Sequence, residues 1–203
     1  MKKYALIIFI FVISIVFSAP VYAQPTKDAV MGLKKLQARC QSGISYRDYS
    51  NAVADAKFPV NVFIESADAK KSPELTESIN KAMGHYEYAS KLWNLKMSGY
   101  DIDMKYGFFK VDSDVGREIS KLYAQAAQAL TIKYDSYFIG DLLPMIWDSA
   151  SQELGNTTKL LAKMEETSAS ELANLKKENN GLKTEIEKLK QENASLRAKQ
   201  KKK

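Results

Sequence analysis

Residues 171–197 read ELANLKKENNGLKTEIEKLKQENASLR, and this stretch decides the architecture. Leu175, Leu182, Leu189 and Leu196 recur every seven residues, and Leu161 lies on the same series, interrupted once by Ser168. With these at heptad position d, Leu172, Asn179, Ile186 and Asn193 fall at a. The flanking positions sort by sign. Glu171, Glu178, Glu185 and Glu192 occupy g, whereas Lys176, Lys183, Lys190 and Arg197 occupy e. In a parallel pair each g side chain meets the next e side chain of the partner, so every such contact attracts. An antiparallel pair would set Glu against Glu and Lys against Lys, each at a cost. Asn at a fixes register and favours two strands while giving up some stability. The pattern predicts a parallel homodimeric coiled coil over residues 157–198, about 55 Å long between Leu161 and Arg197 at ~1.5 Å per residue.

A leucine zipper with Asn at a resembles the dimerisation half of the basic-zipper transcription factors. That family carries a basic helix immediately before its first leucine. Here the corresponding stretch, Glu165-Glu166-Thr167-Ser168-Ala169-Ser170-Glu171, is acidic and small. The resemblance covers residues 161–197 and implies dimer geometry without DNA binding. Charge agrees with that reading. Residues 24–156 hold 16 Lys and Arg against 17 Asp and Glu, net −1, whereas residues 157–203 hold 12 against 7, net +5. The basic character therefore belongs to the coil and its lysines, while a nucleic-acid-binding fold would need a basic face of its own. Nucleic acid is excluded as an expected partner. Lys199, Lys201, Lys202 and Lys203 form a basic tail, residues 199–203, suited to an anionic envelope surface.

The N-terminal segment sets the address. Lys2 and Lys3 precede an apolar run from Tyr4 to Ala19; Pro20 then breaks the helix, and Val21-Tyr22-Ala23 offers small residues at −3 and −1. This is the layout of a cleaved secretory signal, residues 1–23. The run is about 16 residues, short of the roughly 17–25 that span a bilayer. A retained anchor is the alternative, and both place the body outside the cytoplasm because the lysines stay inside. No Cys follows the cleavage position, so lipid attachment at a new N-terminal Cys is not expected. An exported protein of a bacterial periplasm or envelope results.

Residues 24–156 read as one helical domain. Thr26 is placed to cap a helix whose face is Ala29, Leu33, Leu36 and Cys40, stopped by Gly43. Ser45 starts a second helix, with Asp48 completing a capping box. Val60 to Ile64 fits either a short strand or, better, a helix kinked or restarted at Pro59. Ser72-Pro73-Glu74 opens a helix striped by Leu75, Ile79, Ala82, Tyr86, Ala89 and Trp93 and ended by Gly99. Tyr100 to Val111 reads as a loop or small hairpin. Asp112 or Ser113 then caps a helix whose face is Val115, Ile119, Leu122, Ala126 and Leu130. Asp141 starts the last helix, with Pro144 in its first turn and no breaker strong enough at Gly155 to separate it from the coil. The expected fold is all-α: a bundle of four or five helices followed by the long coil.

Chemistry-bearing residues are few. Cys40, the only cysteine, sits on an apolar stripe, which favours a buried thiol; a disulfide across the dimer is the alternative. A catalytic thiol would need a base, and His85 is the only histidine. Asp101, Asp103 and Asp112 imitate the start and twelfth position of a calcium loop, but Lys105 and Tyr106 stand where a ligand and a glycine are required. No catalytic residue, metal ligand or cofactor is therefore assigned. Tyr86, Trp93, Tyr123 and Trp147 could form an aromatic ligand surface, although Tyr and Trp more often serve the core with a polar tip outward. The expected function is a non-enzymatic, homodimeric structural or adaptor protein, with a small-molecule or glycan-binding module as the alternative. Mass spectrometry of the exported protein should find Gln24 at its N-terminus; a retained Met1 would instead reveal an anchor.

Overall fold

A computed structural model of the chain describes residues 24–99, 107–123, 125–126, 130–131 and 135–200. The expected signal segment, the loop residues 100–106 and Lys201 to Lys203 lie outside the described residues. The elements run α1 (Gln24–Gln41), α2 (Tyr46–Glu65), α3 (Ala67–Lys71), α4 (Pro73–Ser98), β1 (Phe108–Lys110), α5 (Asp114–Leu122), β2 (Leu130–Thr131), β3 (Ser136–Phe138) and α6 (Ile139–Gln200). The chain is mostly helical, as expected for the all-α class. Its compact units are Tyr22–Leu161 and one that holds Ala162–Lys203.

Helix α1 buries Ala29, Val30, Leu33, Leu36 and Cys40 along one face. It begins at Gln24, so Thr26 lies inside the first turn, fully buried, and does not cap it. The chain turns through Gly43 at φ 80°, a conformation that suits glycine. Ser45 caps α2 as expected: its Oγ accepts the Asp48 N–H at 3.2 Å and donates to Asp48 Oδ2 at 2.6 Å. Pro59 sits within α2, and Val60 to Ile64 are helical. The proline survives there because Gly32 on α1 leaves room for its ring. A Cβ at Gly32 would stand 3.0 Å from Pro59 Cγ.

Ser66 ends α2 and caps the short α3, accepting the Ala69 N–H at 3.3 Å. Pro73 occupies the first turn of α4, where its missing N–H costs nothing, and Gly99 closes the helix at φ 73°. Five of the six expected stripe residues on α4 are buried; the sixth, Trp93, is half-buried, and Leu92 is buried beside it.

The segment after α4 departs from expectation. Phe108–Lys110 does not fold back on its neighbours; it pairs antiparallel with Ser136–Phe138, and Leu130–Thr131 adds to the other edge of that strand. The cross-strand pair Phe109 and Tyr137 is buried, whereas Phe108 and Phe138 meet on the opposite face with ring centroids 5.2 Å apart. Helix α5 starts at Ser113, whose Oγ accepts the Gly116 N–H at 3.0 Å. It stops at Leu122, which is 53% exposed, so the expected helical face through Ala126 and Leu130 is corrected. Ala126 is buried beyond the helix, and Leu130 belongs to β2. Residues 124–130 are good helix formers, but Tyr123 leaves helical geometry and enters the core at 3% exposure, where its packing outweighs propensity.

Helix α6 starts at Ile139, ahead of Asp141, and buries Ile139, Leu142, Leu143, Ile146, Ala150, Leu154 and Thr157. It continues through Gly155 to Gln200. Among the described residues no helix is long and apolar enough to cross a membrane.

Two glycines should respond oppositely to substitution. A Cβ at Gly116 would stand 2.1 Å from the Lys110 carbonyl oxygen and 2.6 Å from that of Val111, both backbone atoms. Gly155 in α6 has nothing within 4 Å of that position. Thermal denaturation should show Gly116→Ala destabilised by about 2 kcal/mol or more and Gly155→Ala stabilised by up to about 1 kcal/mol.

Candidate functional site

Two sets of residues qualify, one in the body and one on the C-terminal part of α6. The body set centres on Tyr49, which is fully buried. Its hydroxyl donates to the Tyr86 carbonyl at 2.8 Å and accepts the Trp147 Nε1–H at 3.1 Å, joining α2, α4 and α6. The Tyr49 ring lies 5.4 Å from that of Trp93 and 5.5 Å from that of Trp147, and the two indoles are 6.0 Å apart. Tyr46 leans on Trp93 at 5.8 Å and donates its hydroxyl to Asn94 Oδ1. Burial raises the Tyr49 phenol's pKa despite the opposing hydrogen bond from Trp147. This hydroxyl is a structural hub, not an acid.

Of the four residues assigned to an aromatic ligand surface, the structure brings Trp93 and Trp147 together half-exposed. Tyr86 and Tyr123 do not face outward; they are 0% and 3% exposed. Tyr123 instead belongs to a separate group beside α4. Its hydroxyl lies 2.9 Å from His85 Nδ1, and its ring stacks at 5.5 Å on His85 and 5.7 Å on Tyr88. Lys91 lies 5.4 Å over the Tyr88 ring and pairs with Glu118 at 2.7 Å. Tyr49 as the central residue was not singled out by sequence. Its only signal is membership of the stripe with Ala52, Val53 and Ala56.

Cys40 is buried, and burial pushes its thiol pKa up to about 12. A thiol so protonated is neither a nucleophile nor a ready disulfide former. Among the described residues no three His, Cys, Asp or Glu side chains gather as a metal site. Asp101 and Asp103 lie outside the described residues, and Asp112 is exposed. A shallow, open concavity of about 520 Å³ at the α1–α2 turn is lined by Arg39, Ser42, Ile44 and Asp48 among others. It gathers no reactive pair.

The second set lies on α6. Leu172, Leu175, Leu182, Ile186, Leu189 and Leu196 are 37–61% exposed, all at the heptad positions a and d. Leu161 is half-buried, as is Asn179, while Asn193 is exposed with its Nδ2 donating to the Leu189 carbonyl at 3.1 Å. Glu171, Lys176, Glu178, Lys183, Glu185, Lys190, Glu192 and Arg197 are exposed along the flanks of this stripe. Lys190 also pairs within its own helix with Glu187 at 3.0 Å. Lys199 is exposed, and Lys201, Lys202 and Lys203 lie outside the described residues. Comparison with protein-family models, with curated proteins and with solved structures finds no match for the chain.

The half-buried His85 contributes a pH-dependent part of the body's stability. Desolvation lowers its pKa from the ordinary 6.5, and the nearby Glu153 opposes this more weakly. The folded chain thus favours neutral imidazole, and the unfolded chain takes up the proton first. Its contribution to stability is intact above pH 6.5 and is lost as the pH falls from there toward the folded pKa. His85→Gln should flatten that part of the stability profile, measured by urea unfolding between about pH 7 and 5. Parallel profiles for the two proteins would contradict the assignment.

Proposed function

We propose that the chain is an exported, non-enzymatic helical protein that works as a parallel homodimer. Residues 157–198 form the joining coil, and two copies of the body, residues 24–156, are held together as a scaffold or adaptor. One observation carries this reading: six large apolar side chains stand open to solvent on a single helical seam, with their flanks sorted by charge. Burying a Leu or Ile side chain is worth roughly 1.5–3 kcal/mol. A helix without a packing partner is marginal in water, since most helical stability comes from burying an apolar face. A second copy in parallel register covers this seam with an identical one and pairs each g carboxylate with an e cation. The non-enzymatic part is supported by chemistry: the one imidazole is engaged with Tyr123, and the one thiol is buried and protonated. Export rests on the signal-like order of charge, apolar run and small residues in 1–23.

A second reading is a ligand-binding module. It is favoured by the three half-exposed rings of Tyr46, Trp93 and Trp147, contributed by three helices with neighbouring centroids no more than 6.0 Å apart. Sugars or flat apolar molecules stack on such rings. Titration with oligosaccharides, followed by tryptophan emission in the parent and in Trp93→Ala, tests it; an unchanged spectrum disposes of this alternative.

The dimer makes its own demands. Glu178→Lys with Glu185→Lys places like charges opposite Lys183 and Lys190 of the partner. Each reversed exposed pair costs about 0.5 kcal/mol, occurs twice by symmetry, and is partly masked by salt. Sedimentation velocity should show a weakened dimer at low salt that recovers as salt is added, and an unaltered dimer at low salt would contradict the zipper. Asn179→Leu with Asn193→Leu should raise the melting temperature while admitting trimers or mixtures.

A further inference from the structure

Imidazole is the side chain whose ordinary charge changes between about pH 5 and 8, and His85 is the one histidine of the chain. It stands half-buried on α4, and three helices contribute the groups that face it. On α4 itself Lys81 lies one turn before it and pairs with Glu77 at 2.7 Å. Lys91 lies over the Tyr88 ring and pairs with Glu118 of α5 at 2.7 Å. From α6 comes Glu153, whose charge acts on both His85 and Lys81. The remaining partners are the phenols of Tyr88 and Tyr123. Burial pushes both their pKa values up, so they stay neutral where imidazole titrates.

The 2.9 Å contact between His85 Nδ1 and the Tyr123 hydroxyl depends on a neutral ring. With the ring hydrogen on Nε2, Nδ1 accepts the phenolic hydrogen. A second proton enters at Nδ1, which then can only donate. The phenolic hydrogen has to swing away and find another acceptor, in a residue that is 3% exposed. A buried donor without an acceptor is costly. Desolvation of the half-buried ring also opposes the cation, and Glu153 offsets this more weakly. What the contact secures is the end of α5. Tyr123 is where the chain leaves the helix, yet its N–H still bonds to the Ile119 carbonyl and its carbonyl accepts the Ala126 N–H, each at 2.9 Å. The rest of α5 is held by other bonds, from the Gly116 N–H to Ser113 Oγ at 3.0 Å and between the Ser120 and Tyr137 hydroxyls at 2.6 Å.

We propose that the His85–Tyr123 contact is an acid-sensitive latch, which pins the end of α5 to α4 while the ring is neutral and, once the ring is protonated, lets Tyr123 and the turn through Ala126 open with the rest of the body still folded. The inference stands apart from the coil and from the dimer. Its sign follows from linkage. The opened state frees the imidazole to titrate near its ordinary 6.5, whereas the closed state resists the proton. The open fraction therefore grows as the pH falls from 6.5 to the closed-state pKa and levels off below it.

The test uses the chain from Gln24 onward, which holds every described element, with His85→Gln and Tyr123→Phe as variants. Because there is one histidine, its imidazole signals in an NMR titration are unambiguous. Hydrogen exchange, corrected for its intrinsic pH dependence, follows the Tyr123 and Ala126 amides between about pH 7.5 and 5. Leu33 and Leu36, buried on α1, report unfolding of the whole body. Tyr123 and Ala126 should be less protected than those two at every pH. Their protection should fall about tenfold for each unit by which the measured His85 pKa lies below 6.5. In His85→Gln, whose amide oxygen accepts the same hydrogen without titrating, it should stay constant. Tyr123→Phe should raise the His85 pKa toward 6.5, and it decides alone if His85→Gln does not fold. Three results would overturn the latch: the same pH dependence in parent and His85→Gln, protection at Tyr123 equal to that at Leu33 and Leu36, or a His85 pKa indifferent to Tyr123→Phe.

Discussion

A helix with an apolar face must bury it, and α6 meets this requirement within the chain over only part of its length. From Ile139 to Thr157 its apolar side chains are buried in the body. The seam there is closed by polar contacts as well, for the Ser78 hydroxyl meets that of Thr157 at 2.8 Å and the Glu153 carbonyl at 3.2 Å. From Leu172 to Leu196 the same helix offers large apolar groups to water. That unmet requirement is the physical basis for assembly in the proposed reading, and charge decides which assembly. The apolar stripe calls for a cover, and in that reading the segregation of glutamate and lysine selects a parallel copy over an antiparallel one.

Within the body the corresponding constraint is the Tyr49 hydroxyl. A buried phenol without partners would be costly, and here it both donates and accepts, tying α2 to the backbone of α4 and to the indole of α6. The packing of rings around it follows, with Trp93 and Trp147 tilted against Tyr49 and against each other. Close contact between α1 and α2 depends on the Gly32–Pro59 fit. These features hold the aromatic residues as scaffold first, and only the outward edges of Tyr46, Trp93 and Trp147 remain for any ligand.

Local chemistry was legible in the sequence, and long-range chemistry was not. Ser45 with Asp48, Ser72 before Pro73, Ser113 and Gly99 act within a few residues of themselves, and each marks a helix end in the structure. The helical periodicity of residues 161–197 was legible for the same reason, and α6 carries them all. The strands were not, because each is two or three residues long and β1 finds its partner 28 residues further on. The end of α5 was missed because helix-forming residues follow it in sequence, whereas Tyr123 leaves helical geometry and is buried against His85 and Tyr88. Thr26 looked like a cap by type, but α1 starts two residues earlier and draws it into the core. The Tyr49 hub joins partners 37 and 98 residues away, a separation that no periodicity encodes.

The most direct test of the central claim measures orientation. In a Cys40→Ala background, single cysteines at Ala173 and, separately, at Ala198 can carry spin labels for pulsed dipolar spectroscopy. Helices in a parallel in-register coil lie about 8–10 Å apart, so labels of equal number should be about 20–35 Å apart at both positions once helix width is included. An antiparallel pair would part at least one set by about 40 Å or more along the axis, at ~1.5 Å per residue. Short distances at both ends are the predicted result. A long distance at either end, or no dipolar signal at all, would contradict the parallel homodimer.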